Sequence, residues 1–425
     1  MVEKILSALK KLKAETYKIN ITKIKSEELF FIRKKLDMNR KKDVTKYEVT
    51  LYKDFKENEI KFRGESTVDI YPTMNDEEIL EELKGGLYAA SFVKNEYYPL
   101  PKSEVASTID KSYLNKDLNL EETALKVQNA LYKYDHYDNG GINSTEIFVQ
   151  KIENRIINSE GIDVSFSKLG LEIEYVVDWT ENGEEVEIYN KDNYDELNEN
   201  TIAESVREAI EVVKSRAKAK SSVKTGKYDV ILNKEAVQTF FEYYKYKANA
   251  RSIYTKGSKF KIGDSIQGVN IIEDKINVSL EGTNPYDNDG VRLNKTNIID
   301  DGILKNYYGN FRYSSYLEIK PTGNLNKLIV NSGNTTIEEM KKQPHLDLLA
   351  FSAFDMDPSL GNFCGEIRLG FYYDGENTIP ITGGSISGNV KDVQGNMILS
   401  KEIFETSKFV GPKSIKLKGV TVAGN

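Results

Sequence analysis

In KYEVTLYKD, residues 46–54, the apolar side chains Tyr47, Val49 and Leu51 alternate with polar neighbours. A period of two puts one set on each face of an extended chain, as in a half-buried antiparallel strand. The same alternation continues outward in TYKINITKI (16–24), ELFFIRKK (28–35) and EIKFRGESTVDIY (59–71). The turns between them carry Lys, Asp, Asn and Gly. Ahead of the strands, Val2, Ile5, Leu6, Leu9 and Leu12 share one stripe of a short amphipathic helix over 2–13.

Beyond Pro72, TMNDEEILEELKGGLYAASFV begins as a helix, and Gly85-Gly86 is expected to break or bend it. YYPLPKSEV (97–105) reads as a linker or crossover, and 119–134 as a helix. Strands return over 145–190 in TEIFVQKIENRII and LEIEYVVDW, and ENTIAESVREAIEVVKSRAKAK starts a long helix over about 199–219. SSVKTGKY ends it, and a domain boundary is expected near 225. After it come a strand, a helix and many short strands. The expectation is an α+β chain with an N-terminal mixed sheet/helix domain (1–224, a subdomain break near 97–118) and a C-terminal domain rich in antiparallel β-strands (225–425).

The totals exclude several classes. A net charge of −7 gives no field that draws a protein onto nucleic acid or anionic lipid. The N-terminus lacks an uninterrupted apolar core, so no secretory signal is expected, and no run reaches the roughly 18 apolar residues of a membrane span. One cysteine, Cys364, allows no intramolecular disulfide and fits a cytoplasmic protein.

Chemistry centres on AVQTFFEYYKYKAN, 236–249. Val237, Phe240, Phe241 and Tyr244 form a buried helical stripe, and Gln238, Glu242 and Tyr246 lie on another face. A hydrolytic metal helix needs imidazoles about a turn apart beside a carboxylate, and this one has none. His136, His345 and Cys364 are the whole soft-ligand inventory, in three separate segments. Cys364 is expected to be a small buried side chain in a strand. DHYDNGGINSTE, 135–146, places Asp135, Asn139, Gly140 and Glu146 at loop positions of a calcium-binding helix-loop-helix, with Tyr137 at a ligand position; an Asn-Gly turn is the competing reading. KSRAKAKSSVKTGK (214–227) reads as a cationic helix end, and the glycines of TGGSISGN (382–389) as strand turns.

Several stretches, in order, resemble the TldD/PmbA family, also called modulators of DNA gyrase: NSEG (158–161), GKYDVILNKEAV (226–237), DNDGV (287–291), IIDDGILKNYY (298–308), GNFCGEIRLGFYYDGE (361–376), TGGSISGNV (382–390) and VTVAG (420–424). The likeness runs from about residue 15 to the C-terminus. In that family TldD-like members carry a His-Glu-x-x-x-His helix and are metallopeptidases, whereas PmbA-like (TldE-like) members lack the ligands and pair with a TldD-like subunit. In the matching register Phe241 and Tyr246 stand at the two histidine positions, Glu242 at the glutamate and Asn249 at a further acidic ligand. FETSKFVGPKS (404–414) holds no late cysteine. The resemblance implies the noncatalytic branch, with no catalytic residue, metal or cofactor. Phe241, Glu242, Tyr246 and Asn249 then border a vacated site or peptide groove, and the partner is a TldD-like metallopeptidase in peptide maturation or proteolysis. The alternatives are a self-sufficient hydrolase using 135–146, and a homodimeric peptide-binding protein.

Overall fold

The computed structural model describes residues 1–103 and 119–424. The second half of the 97–118 connection, where the sequence suggests a subdomain break, lies outside the described residues. The alternating segments build one seven-stranded antiparallel sheet in the order β4-β3-β2-β1-β5-β6-β7. Its strands are β1 (Tyr17–Ile32), β2 (Lys35–Glu57), β3 (Ile60–Ile70), β4 (Asn95–Glu96), β5 (Gly140–Asn158), β6 (Asp163–Glu181) and β7 (Glu184–Tyr194). Helices α1 (Val2–Lys11), α2 (Asp76–Ala90), α3 (Leu120–Leu131) and α4 (Glu199–Arg216) accompany it.

Chain parity assigns the two faces. Through most of β1, β2, β5 and β6 odd-numbered residues face the helices; a bulge near 142–144 in β5 turns Ile142 to the same face. Ile19, Val49, Leu51 and Ile157 pack with Ile5, Leu9, Ile79 and Leu83. Leu29, Phe31, Ile147, Val149, Leu171 and Ile173 pack with Val127, Leu131, Val206 and Ile210. Even-numbered residues take the other face, where Ile156, Val164 and Phe166 meet Tyr286, and Tyr52 and Tyr98 meet Tyr316. Further along that face, cross-strand ion pairs replace a core: Glu28 with Arg40 and Lys42, and Lys191 with Glu172 and Glu174.

Gly85-Gly86 does not interrupt α2, which starts at a capping box of Asn75 and Glu78 and runs through both glycines. Gly86 lies where an added Cβ would stand 2.6 Å from Leu51 Cδ1, so close seating of the helix on the sheet explains it. NSEG closes the β5–β6 turn: Asn158 Oδ1 accepts from the Glu160 and Ile162 amides at 2.9 and 3.0 Å.

The rest of the chain makes two further sheets from mostly short strands. One has the order β11-β10-β9-β12-β19-β18. The other has the order β13-β8-β20-β16-β14-β15, with β17 on β20, and β13 also pairs with β14, so five of its strands close on themselves. The strands are β8 (Gly226–Asn233), β9 (Val278–Glu281), β10 (Thr296–Asp300), β11 (Ile303–Leu304), β12 (Lys327–Val330), β13 (His345–Asp357), β14 (Asn362–Tyr373), β15 (Thr378–Ile381), β16 (Ser385–Asn389), β17 (Ile398–Leu399), β18 (Ile403–Glu405), β19 (Phe409–Pro412) and β20 (Ser414–Ala423). Helices α5 (Glu235–Ala248), α6 (Ala250–Tyr254), α7 (Phe311–Tyr316), α8 (Ile337–Met340) and α9 (Val390–Val393) complete it. A single core joins Phe240, Phe241, Tyr243 and Tyr244 of α5 to Val230, Leu280, Leu328, Phe363, Ile367 and Leu417. Each such ring removed from water stabilises the fold by about 1.5–3 kcal/mol.

Polar contacts knit this body to the first sheet. Lys18 Nζ meets Asp289 Oδ1 at 2.6 Å, and Arg312 binds Glu65 and Asn95 at 2.9 and 2.7 Å. Burial pulls the Lys18 ammonium down, yet the Asp289 carboxylate holds it above the usual lysine range. Asp287, two residues before that partner, is buried and accepts the Asp289, Val291 and Asn324 amides. Burial, then the charge of Asp289, push its carboxyl up.

Candidate functional site

α5 enters from β8 through Lys234, whose φ of 50° is a strained conformation for a residue with a side chain. Its apolar stripe is driven into the core, and its last two turns border an open cavity of about 630 Å³. Glu242, Lys245, Tyr246 and Asn249 line it from α5, with Tyr308, Asn310 and Tyr313 opposite.

The four sequence candidates separate. Phe241 is fully buried, with its ring 5.8 Å from those of Phe240 and Tyr244. Glu242, Tyr246 and Asn249 reach the cavity. Glu242 is engaged by Lys245 Nζ at 2.9 Å, one turn along the helix. Asn249 Oδ1 caps α6 by accepting the Arg251 amide at 2.9 Å, while the flanking main chain is clamped by Tyr308: Ala250 N to Tyr308 O is 2.7 Å, and Tyr308 N to Ala248 O is 3.2 Å. Burial raises the Tyr308 phenol well above its ordinary range. Lys247 turns away from the cavity and donates to the Ser359 and Gly257 carbonyls at 2.6 and 3.3 Å; burial lowers its pKa.

A metallopeptidase centre does not fit this donor set. Among the described residues lining the cavity, Glu242 is the sole carboxylate and there is no imidazole or thiolate. His345 lies on β13, its Nδ1 2.7 Å from the Gln343 carbonyl, and His136 stacks on Tyr137. Cys364 corrects its expectation: it is exposed, because on β14 the buried positions are its neighbours Phe363 and Gly365. Among the described residues, the close grouping of metal-type side chains is Asp178, Glu185 and Glu187, at the β6–β7 turn, where Arg33 already pairs with Asp178.

Of the two readings of 135–146, the calcium-binding helix-loop-helix lacks its second helix. Gly140 opens strand β5 and no helix follows; Glu146 sits exposed on that strand, opposite Phe30 and Glu174, while Asp135 Oδ1 accepts the Ile142 amide at 3.3 Å. A strand carries the twelfth position away from the first, so no ligand ring closes.

Sequence reasoning missed Arg251, Asn310 and Tyr313. They line this cavity and also a neighbouring one of about 540 Å³, which Lys18, Tyr52 and Glu65 border from the seven-stranded sheet and Tyr98 from the chain just past β4. No local pattern marks them, since the packing of α6 on α7 brings 251 to 310–313.

Residues 225–424 match the family model for the PmbA/TldA metallopeptidase C-terminal domain, and this part of the chain belongs to the TldD/PmbA family. A Buchnera aphidicola protein named a metalloprotease PmbA homolog is 24% identical over 216 residues, 48% of each chain. A metalloprotease of Methanocaldococcus jannaschii is 32% identical over 158 residues, 35% of this chain and 33% of its own. The chain spans about half the length of the first curated relatives it matches. In fold it is similar to a Thermotoga maritima protein described as a modulator of a DNA gyrase, at TM-score 0.77 and 17% identity over 99% of both chains. It is likewise similar to TldE of Thermococcus kodakarensis, at TM-score 0.74 and 17% identity over 99% of this chain and 100% of that one. No helix among the described residues is long and apolar enough to cross a membrane.

Proposed function

We propose that this chain is a noncatalytic, PmbA/TldE-like subunit that holds peptide for a TldD-like metallopeptidase in peptide maturation or proteolysis, in the cytoplasm. The observation that carries the reading is the cavity at the end of α5: an open space with an ion-paired Glu242 in place of a ligand set. A lone carboxylate already neutralised by Lys245 holds a hydrolytic ion poorly and has no bound water to activate. Phe241 strengthens the reading, because an imidazole at that position would enter a dry core rather than the cavity. The similarity in fold to TldE agrees with it.

The test is reconstitution. The purified chain alone is expected to hydrolyse no unstructured peptide and to carry no stoichiometric zinc by elemental analysis. Pull-down from its native cells is expected to recover a sequence-related subunit with a His-Glu-x-x-x-His helix, and the pair is expected to cleave. Zinc-dependent cleavage by the chain alone, or recovery of nothing but itself, overturns the reading.

A further inference from the structure

At the other end of α5, two open strand edges border one space. β7 is the outermost strand of the seven-stranded sheet. The ladder of β13 with β8 ends at Leu348, which leaves that edge of β13 unpaired beyond it. Segments 188–192 and 349–354 line the same cavity of about 350 Å³, with Glu235, Ala236 and Thr239 of α5 at its side. It shares Lys191, Asp192, Ser205 and Glu208 with a second cavity of about 640 Å³, which follows β7 on to Tyr194 and reaches Ile403 and Phe404.

The orientation of β7 follows from the ladders of β6. Thr180 N donates to the Asn139 carbonyl at 2.8 Å and Asn158 N to the Ile162 carbonyl at 3.0 Å, so even-numbered residues of β6 bond to β5 and its odd-numbered residues to β7. Main-chain groups alternate along a strand. Ile188, Asn190 and Asp192, opposite Val177, Tyr175 and Ile173, therefore bond to β6 in the ladder, while Tyr189, Lys191 and Asn193 direct their N–H and C=O groups toward the groove. The strand is fixed from below: the Asp192 carboxylate accepts from the Ser205, Tyr194 and Tyr175 hydroxyls at 2.7, 3.2 and 3.3 Å. With that side chain committed, what β7 offers the groove is its main chain. Charges of both signs, Lys191 and Lys234 against Glu208 and Glu235, select neither a cation nor an anion. Tyr189, Leu349 and Ile403 stay exposed and offer apolar contacts.

We propose that this groove takes an extended peptide segment as an added strand between β7 and β13. Main-chain hydrogen bonds to both edges bind it with little dependence on sequence, as strand addition does elsewhere. The seven positions 188–194 correspond to roughly 23 Å of extended chain at about 3.3 Å per residue. The proposal rests on the reading of the chain as a peptide-handling subunit and adds a second holding site, separated from the Tyr246 cavity by the length of α5.

Hydrogen exchange of the full chain, with and without a reduced, carboxymethylated unfolded protein as the probe peptide, tests it. Amides of 186–194 and 349–355 are expected to exchange at least about tenfold more slowly when the probe is bound. The Asn193→Pro variant deletes one outward N–H without removing a ladder bond; it is expected to weaken probe binding about tenfold while thermal unfolding stays near wild type. Protection confined to the Tyr246 cavity overturns this site and leaves the proposed function standing. Absence of probe binding by the chain and by its complex with the catalytic subunit overturns both. Protection of β7 that grows with protein concentration and needs no probe assigns the edge to a second copy and overturns the peptide proposal. If Asn193→Pro fails to fold, Tyr189→Ala, an exposed side chain, reports on the same groove through probe affinity.

Discussion

The seven-stranded sheet and the body around α5 are both rich in strands, but they are specified differently. In the first, β1–β2, β2–β3, β5–β6 and β6–β7 are hairpins between neighbours in sequence, and alternation fixes the faces except at the bulges of β2 and β5. In the second, β8 lies between β13 and β20, partners that begin more than a hundred residues further along. Its strands are short, and its identity is carried by one continuous core around α5. Local pattern is enough to set a register; a shared interior is needed to arrange distant strands.

The sharpest way to break this comparison is a one-residue insertion after Lys46. It would turn Tyr47, Val49 and Leu51 onto the wrong face, and loss of soluble folded protein is the expected outcome. A stable variant with an unchanged near-ultraviolet spectrum would contradict parity as the organising rule. Next in size is Phe240→Ala in the shared core, expected to cost about 3–5 kcal/mol in denaturant unfolding. Because α5 supports both cavities, probe binding should weaken in parallel.

Lys18→Ala at the seam strands Asp289 beside the buried Asp287. The pair is partly buried, so the expected loss is about 2 kcal/mol, below the range for removing one partner of a fully buried ion pair. If the two bodies unfold independently, calorimetry of this variant will split into two transitions.

Smallest is Glu208→Gln, which joins α4 to Lys234 and Lys413. Burial raises the Glu208 pKa, but the two ammonium groups outweigh it and hold it below its ordinary 4.5. A depressed carboxylate stabilises the fold above its unfolded pKa and loses that contribution as pH falls through its folded pKa. Solvent screening leaves roughly 0.5–1 kcal/mol at neutral pH. The variant should therefore fall below wild type at pH 7 and converge with it in the acid range below 4.5. An equal gap at both pH values would contradict the assignment.

What was legible in the sequence divides along the same line. Tyr47, Val49 and Leu51 announced their strand, and the stripe Val237, Phe240, Phe241 and Tyr244 announced a buried helix face, because both patterns are local. Gly85-Gly86 misled because a glycine pair looks the same whether it ends a helix or seats it closely on Leu51 and Val68. Cys364 misled because a strand in a closing sheet has an outer face that its residue types did not reveal. The 135–146 segment has calcium-like spacing, but the hydrogen-bonded ladder from Gly140 to Asn158 outweighs it. For the site, the two-faced pattern of α5 was readable, yet the placement of Phe241 in the core and of Arg251, Asn310 and Tyr313 at the cavity depended on contacts some sixty residues apart.

The unroofed part of the seven-stranded sheet has one more consequence. Its ladder of Glu28 with Arg40 and Lys42, and of Lys191 with Glu172 and Glu174, keeps a charged, salt-sensitive coat, with Glu28 itself covered by its basic partners, on a surface that would otherwise invite another sheet to stack. The long hairpins can project into solvent without templating fibrils, and acidification, by neutralising the glutamates, is the condition under which that protection would be lost.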